Sequence, residues 1–242
     1  MNVLGVIPAR GGSKSVPRKN LTLIFGRPLI AFTIDAAKRS HYITHFVLSS
    51  EDDEIISIGR KYGAPVPFKR PAKLATDNAP TLPVVQHAVR ELETQNRLTF
   101  SYVVLLQPTT PMRRPEDIDN AVEKLVNTEA DSVISVCDVD AYHPARMRMI
   151  VDDQLIELPI KEPREMARRQ DLPKIYIRNG AVYAVRRQVL MEQNSMIGQV
   201  SRPYIMPVER SVNIDSKLDL LLAQLLMHEE DYQHIPRINE IA

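Results

Sequence analysis

Val3-Leu4-Gly5-Val6-Ile7-Pro8-Ala9-Arg10-Gly11-Gly12-Ser13-Lys14-Ser15-Val16-Pro17-Arg18-Lys19-Asn20 is the run on which the fold of this 242-residue chain turns. Val3 to Ile7 carries no polar side chain, the pattern of a strand covered on both faces. The character then changes abruptly to two adjacent glycines, a serine and four bases, Arg10, Lys14, Arg18 and Lys19. Glycine is scarce in the chain, 8 residues where ordinary usage predicts about 17. An adjacent pair therefore argues for a tight turn with a specific backbone task. Backbone N–H groups, the Ser13 hydroxyl and the four positive charges together would form a cradle for a polyphosphate. The run is neither a Walker A loop nor a dinucleotide fingerprint. A solvated basic turn is the plainer reading, but a position directly after a buried strand favours phosphate.

Outward from this run, short apolar stretches alternate with amphipathic ones. Strands are expected at Val3 to Ile7, Phe46 to Ser49, Tyr102 to Leu106, Ser132 to Val136 and Ala181 to Val185. Helices are expected at Pro28 to Arg39, Asp52 to Tyr62, Leu82 to Glu93, Pro115 to Val126 and Lys217 to Met227, the last with Ser216 as N-cap. This order predicts an α/β fold, a single doubly wound, mostly parallel sheet of Rossmann-like type. Ligands of such sheets gather at the carboxyl ends of the strands.

From Ala141 to about Tyr176 the pattern breaks. The stretch has no long helix, carries Pro144, Pro159, Pro163 and Pro173, and sets Lys161, Arg164, Arg168, Arg169 and Lys174 against Glu162, Glu165 and Asp171. It reads as an excursion from the sheet with a small hairpin at Leu155 to Leu158, or as an irregular solvated loop.

Composition narrows the function. Thirty-one Lys and Arg against 30 Asp and Glu argue against a general nucleic-acid binder. No stretch approaches the ~20 apolar residues of a membrane span, and the proline-broken start is a strand rather than a signal peptide. A lone cysteine, Cys137, excludes an intrachain disulfide framework and fits the reducing cytoplasm. It reads as a buried strand residue. Ser50, Asp52 and Asp53 read as a helix start, with carboxylates on the positive end of the dipole.

Arg10-Gly11-Gly12-Ser13-Lys14 with Pro17-Arg18-Lys19-Asn20 resembles the signature of the N-acylneuraminate (CMP-sialic acid, CMP-nonulosonate) cytidylyltransferases. The resemblance continues at Arg70-Pro71-Ala72-Lys73-Leu74-Ala75, Leu106-Gln107-Pro108-Thr109-Thr110-Pro111, Arg178-Asn179-Gly180-Ala181-Val182-Tyr183 and Asn213-Ile214-Asp215. These motifs stand in the family's order from Ile7 to Leu220. Kdo cytidylyltransferases share the Ile-Pro-Ala-Arg opening but continue through Ser-Thr-Arg and Pro-Gly-Lys-Pro elements absent here.

The resemblance implies one nucleotidyltransferase domain over 1–242 that moves CMP from CTP to the anomeric hydroxyl of a nonulosonic acid, releasing pyrophosphate with Mg²⁺. It implies that Arg10, Gly11, Ser13, Lys14 and Lys19 hold the triphosphate, with Arg10 and Lys19 aiding catalysis, and that Asn20 binds the ribose. Arg70 and the stretch from Ala79 to Thr81 would contact the cytosine. Gln107 and Tyr183 would face the sugar, and Arg146, Arg169 and Arg178 would hold its carboxylate. Asp215 would ligate the metal and help deprotonate the sugar hydroxyl. Asn213, where the family has a second acid, would offer only a neutral oxygen to the metal. The 141–176 excursion would be a homodimerisation arm that reaches the neighbouring active site, with Met147, Met149 and Met166 at the contact. His143 matches a family His-Pro and needs no catalytic role. Met196-Ile197 stands near an aromatic pair of one branch, which points to a nonulosonate other than N-acetylneuraminate. Two alternatives stay open: cytidylyl transfer to Kdo or another sugar acid, and a non-catalytic nucleotide or polyanion binder on the same fold.

Overall fold

The structure is a computed structural model that describes residues 1–13, 16–139 and 141–241. Strand β1 (Val3–Pro8) runs through the middle of the molecule and shows why an apolar run was needed there. Val3 and Ile7 point into a core beneath one layer of helices, and Leu4 and Val6 into a second core on the other face. A two-residue strand pair, β2 (Leu23–Ile24) and β3 (Arg27–Pro28), leads into α1 (Leu29–Arg39). Then follow β4 (His45–Ser49), α2 (Asp53–Lys61), α3 (Thr81–Asn96), β5 (Tyr102–Leu105), α4 (Pro115–Val126) and β6 (Ser132–Asp138). After the excursion come β9 (Tyr176–Arg186), α5 (Arg187–Met191), β10 (Ser201–Ile205) and α6 (Lys217–Leu226).

The six-stranded sheet has the order β10-β6-β9-β5-β1-β4. β1 lies parallel to β4 and β5, β10 parallel to β6, and β9 antiparallel to both of its neighbours. The expected doubly wound, mostly parallel sheet is therefore present. From β1 the chain goes first to β4 on one side and then to β5 on the other. The switch point thus lies between β1 and β5, and a crevice opens at their carboxyl ends. Because β9 enters from that same end, its first half also borders the crevice.

Helix starts follow local chemistry. The Asp52 carboxylate caps α2 by accepting from Ile55 N at 3.0 Å, and Ser216 and Asp219 form a reciprocal capping box on α6. Cys137 is buried in β6. The sheet's far edge was not legible beforehand, because β10 reads Ser-Arg-Pro-Tyr-Ile, with neither an apolar run nor alternation. Its Pro203 is tolerated at an edge, where an N–H is dispensable.

The excursion contains a hairpin that takes in most of Leu155 to Leu158 as its second strand but begins earlier. Its strands are β7 (Arg148–Val151) and β8 (Gln154–Glu157), exposed along their whole length. Asp152 and Asp153 close it with φ of 50° and 61°, the positive pair that a two-residue turn of this twist demands. His143 ties the excursion down at its root. Its Nδ1 accepts from Ala145 N at 3.1 Å, and Nε2 lies 3.0 Å from Pro173 O. A carbonyl can only accept, so Nε2 carries the proton.

Candidate functional site

The crevice between β1 and β5 holds a cavity of about 410 Å³. Pro8, Arg10, Gly12 and Ser13 border it from the loop after β1, and Gln107, Pro108 and Thr109 from the loop after β5. Lys19, Asn20, Arg70, Ala79, Thr81, Asn213 and Asp215 complete the wall with Leu74, Thr76, Asp77 and Val84. The fold thus brings together nearly all of the expected nucleotide and metal residues. Lys14 lies outside the described residues.

The bonds among these residues show how the wall is held. Arg10 Nη1 donates to Thr76 O at 2.9 Å, with Asp77 at 3.6 Å from the same guanidinium. Asn20 Nδ2 donates to Arg10 O at 2.9 Å, so Asn20 braces the loop as well as facing the cavity. Lys19 Nζ donates to Ile214 O and to Asp215 Oδ1, each at 2.8 Å. Arg70 is buried, its Nε donating to Ser49 Oγ at 3.1 Å and its Nη2 to Ser49 O. Burial pulls its pKa down to about 10, which leaves it charged at neutral pH.

Two features of the loop differ from expectation. Gly11 does not line the cavity, and its N–H donates to Glu51 Oε1 at 2.7 Å. Any side chain there would strike the Asp52 carboxylate, whose Oδ2 lies 2.4 Å from the position of a Cβ. Gly11 is therefore a residue of close approach, and its N–H is engaged by Glu51. Arg18 also turns away from the cavity, to Asp52 and Glu54 at the start of α2. That pairing holds the Asp52 carboxyl below the usual range.

Glu51 and Arg113 were not singled out by sequence. Glu51 binds the Gly11 amide and lies 4.0 Å from Arg70, and its buried Oε2 has no hydrogen-bond partner among the described residues. In Ser-Ser-Glu-Asp-Asp-Glu it is masked by neighbouring acids that suffice for a helix start. Arg113 is buried and donates to Gln107 O at 2.6 Å, Ala181 O at 2.5 Å and Thr33 Oγ1 at 3.0 Å. It locks the end of β5 against β9, and a lone arginine in a Pro-Met-Arg-Arg-Pro turn carries no signal of that task.

The expected sugar residues separate. Gln107 lines the cavity, and its Oε1 lies 2.6 Å from where a Cβ on Gly180 would stand. Gly180 has φ +81°, so glycine is required there on two counts. Tyr183 packs on the α3 side of the sheet, where burial pushes its hydroxyl pKa up, and is not among the lining residues. Arg146 pairs with Glu162 at 3.3 Å and donates to Ala167 O at 2.9 Å in a separate cavity of the arm. Arg169 borders another cavity with His143 and Lys174, and Arg178 is exposed on β9. Met196 packs on the α3 side and Ile197 O accepts from Ser132 Oγ, at the amino end of β6. That is the opposite end of the sheet from the cavity, so in this chain the pair forms no wall of it.

The metal candidates are adjacent. Asp215 is exposed at the rim, and its Oδ2 accepts from Asn213 Nδ2 at 2.6 Å. Among the described residues there is no group of three or more His, Cys, Asp or Glu that could hold an ion. One carboxylate beside a basic loop is compatible with a divalent cation that completes its shell with water and phosphate oxygens.

Residues 4–223 match the family described as cytidylyltransferase. The chain is 35% identical over 230 residues to a CMP-N,N'-diacetyllegionaminic acid synthase of Legionella pneumophila, covering 94% of this chain and 97% of that one. It is 32% identical over 226 residues to a pseudaminic acid cytidylyltransferase of Campylobacter jejuni, covering 93% and 96%. An N-acylneuraminate cytidylyltransferase of Escherichia coli is 29% identical over 98% of this chain and 57% of its own length. In fold, the chain is similar to a CMP:2-keto-3-deoxy-manno-octonic acid synthetase solved with CTP, at TM-score 0.67, 20% identity and coverage of 95% and 100%.

Proposed function

The chain belongs to the cytidylyltransferase family, and on that premise we propose that it transfers CMP from CTP to the anomeric hydroxyl of a nonulosonic acid. The observation that carries this reading is the cavity at the β1/β5 switch point, where the basic loop, Arg70, Gln107 and Asp215 converge. Arg10, Ser13 and Lys19 bind the triphosphate, and Arg70 with the backbone around Ala79 and Thr81 reads the cytosine. The anomeric oxygen attacks the α-phosphorus, the bond to the bridging oxygen breaks, and pyrophosphate departs. Asp215 receives the hydroxyl proton directly or through water. Asp215 would hold Mg²⁺ together with the phosphates, and the ion would supply charge neutralisation on the phosphates and the departing pyrophosphate. Lys19 and Asp215 neutralise one another, 2.8 Å apart. Substrate phosphates would draw the ammonium away and release the carboxylate for its own work.

The protein acts as a cytoplasmic homodimer in this reading. The arm exposes Ile150, Leu155 and Met166 at 76%, 72% and 86%, an apolar surface that a monomer would not ordinarily leave open. A second copy would cover it. Arg146 and Arg169 lie away from the cavity of their own chain, which is consistent with an arm that serves the neighbouring site.

The test is pyrophosphate release with CTP and Mg²⁺ against N-acetylneuraminate, diacetyllegionaminate, pseudaminate and Kdo, with D215A as control. Turnover with a nonulosonate, abolished in D215A, is expected. Preference for Kdo, or CTP binding without turnover on any acceptor, would replace the proposal by one of the two alternatives.

A further inference from the structure

Asn213 lines the cavity, and half of its amide is unaccounted for. Nδ2 donates to Asp215 Oδ2 at 2.6 Å. Oδ1 is buried and has no hydrogen-bond partner among the described residues. The reversed amide is excluded on physical grounds. It would press Oδ1 against the Asp215 carboxylate, exchanging attraction for repulsion. Oδ1 lies 3.8 Å from where a Cβ on Gly180 would stand, and Gln107 Oε1 lies 2.6 Å from the same point. Two side-chain amide oxygens therefore lie near the bare Cα of Gly180, and Gln107 takes up the space that a side chain there would need.

We propose that Asn213 Oδ1 accepts a hydrogen bond from a hydroxyl or acylamino N–H of the acceptor sugar, while its Nδ2 keeps Asp215 aimed into the cavity. Asn213 is then a sugar-binding and positioning residue rather than a metal ligand. This rests on the reading above that the acceptor is a sugar acid. A buried acceptor without a partner is costly, and a ligand that brings a donor recovers that cost. A cation is the wrong partner. The edge of the amide that faces Asp215 is its N–H, so an ion shared by Asp215 and Oδ1 would sit against the positive end of that bond. Asn213 would also give such an ion no charge, whereas Mg²⁺ sites rely on carboxylates and phosphates. A hydroxyl or N–H meets neither obstacle, and Gln107 and Asn213 line the same cavity.

The test compares N213A, N213S and N213D with the native protein in two assays. One is steady-state pyrophosphate release with acceptor and CTP varied separately. The other is Mn²⁺ binding to the CTP-loaded protein, followed by electron paramagnetic resonance. N213A is expected to raise KM for the acceptor about tenfold, the scale of one lost hydrogen bond. Its KM for CTP and its Mn²⁺ affinity stay within about twofold of native, since Asn213 itself contacts neither and the Asp215 carboxylate remains. N213D retains an oxygen toward the sugar, so its acceptor KM stays within about threefold while kcat falls, because an oxygen now repels Asp215. An unchanged acceptor KM in N213A, or Mn²⁺ affinity lowered about tenfold or more, a full decade of binding, overturns the proposal. Melting curves monitor folding, and if N213A melts early, N213S carries the same comparison with a shorter side chain. Native turnover with an unmoved N213A refutes this inference alone. Silence of the native protein with every nonulosonic acid removes the reading above as well.

Discussion

The cavity and the 141–176 arm both use charged side chains on irregular loops, but they hold them in opposite ways. In the cavity the partners come from far along the chain. Lys19 bonds to residues 195 and 196 positions away, and Arg10 to one 66 away. In the arm the pairs are local: Arg164 and Arg168 with Asp171, Lys161 with Glu157, Arg146 with Glu162. Cations pinned by distant elements keep their geometry whenever the sheet is folded, so the cavity is formed in advance of its ligand. Locally paired cations on an exposed hairpin hold little more than their own loop.

The sharpest challenge to this contrast is K19A. It removes the group that balances Asp215 and, in the proposed reading, a phosphate contact, and kcat/KM is expected to fall about 10²- to 10³-fold, as on loss of a preorganised electrostatic contact. Steady-state pyrophosphate release measures it, and a loss under tenfold would mean that the cavity is less preorganised than described. Next in size is the paired substitution I150E/L155E in the hairpin. Light scattering should show a shift from dimer to monomer, with the melting temperature of the sheet nearly unmoved. Activity should fall about ten- to a hundredfold if each arm supplies an arginine to its neighbour's site, since a lost carboxylate contact is charge-assisted. A monomer with full activity would separate the arm from the chemistry.

A smaller effect is expected for H143A, which removes both bonds at the arm's root. A loss of about 1–2 kcal/mol is expected, seen by denaturant unfolding and by faster amide exchange confined to the arm. The smallest effect belongs to Arg18. Because its guanidinium lowers the Asp52 pKa in the folded state, the pairing stabilises the protein above the unfolded carboxyl pKa of about 3.9, and that stability is lost as pH falls through the lower folded value. Arg18 is 41% exposed, so R18M should cost no more than about 1 kcal/mol at pH 7. The difference from native should vanish in strong acid. A constant difference across pH would assign the loss to packing instead.

Much of this contrast could be read in advance, for reasons visible in particular residues. Val3 to Ile7 announced a doubly covered strand because both of its faces are buried by helices. Pro115 and Ser216 marked helix starts because capping is local chemistry. The edge strand β10 and the turn at Asp152-Asp153 escaped, one lacking hydrophobic pattern and the other lacking the glycine that usually signals positive φ. In the site, the loop bases were visible as a group, but not that Arg18 leaves them for α2.

Local order and motif identity were settled by the sequence alone: the alternation of strands and helices, the glycine-bearing basic loop after β1, and the resemblance that runs from Ile7 to Leu220. Tertiary structure alone decided which polar atoms face the cavity and which are already satisfied. Glu51 takes the Gly11 amide, Arg113 fastens Gln107, and Asn213 turns one edge to Asp215 and leaves the other, buried, without a partner among the described residues. The reason is physical. Capping and periodicity depend on neighbours a few residues away, whereas the partner of a buried polar atom depends on which distant backbone the sheet brings within about 3 Å, the reach of a hydrogen bond.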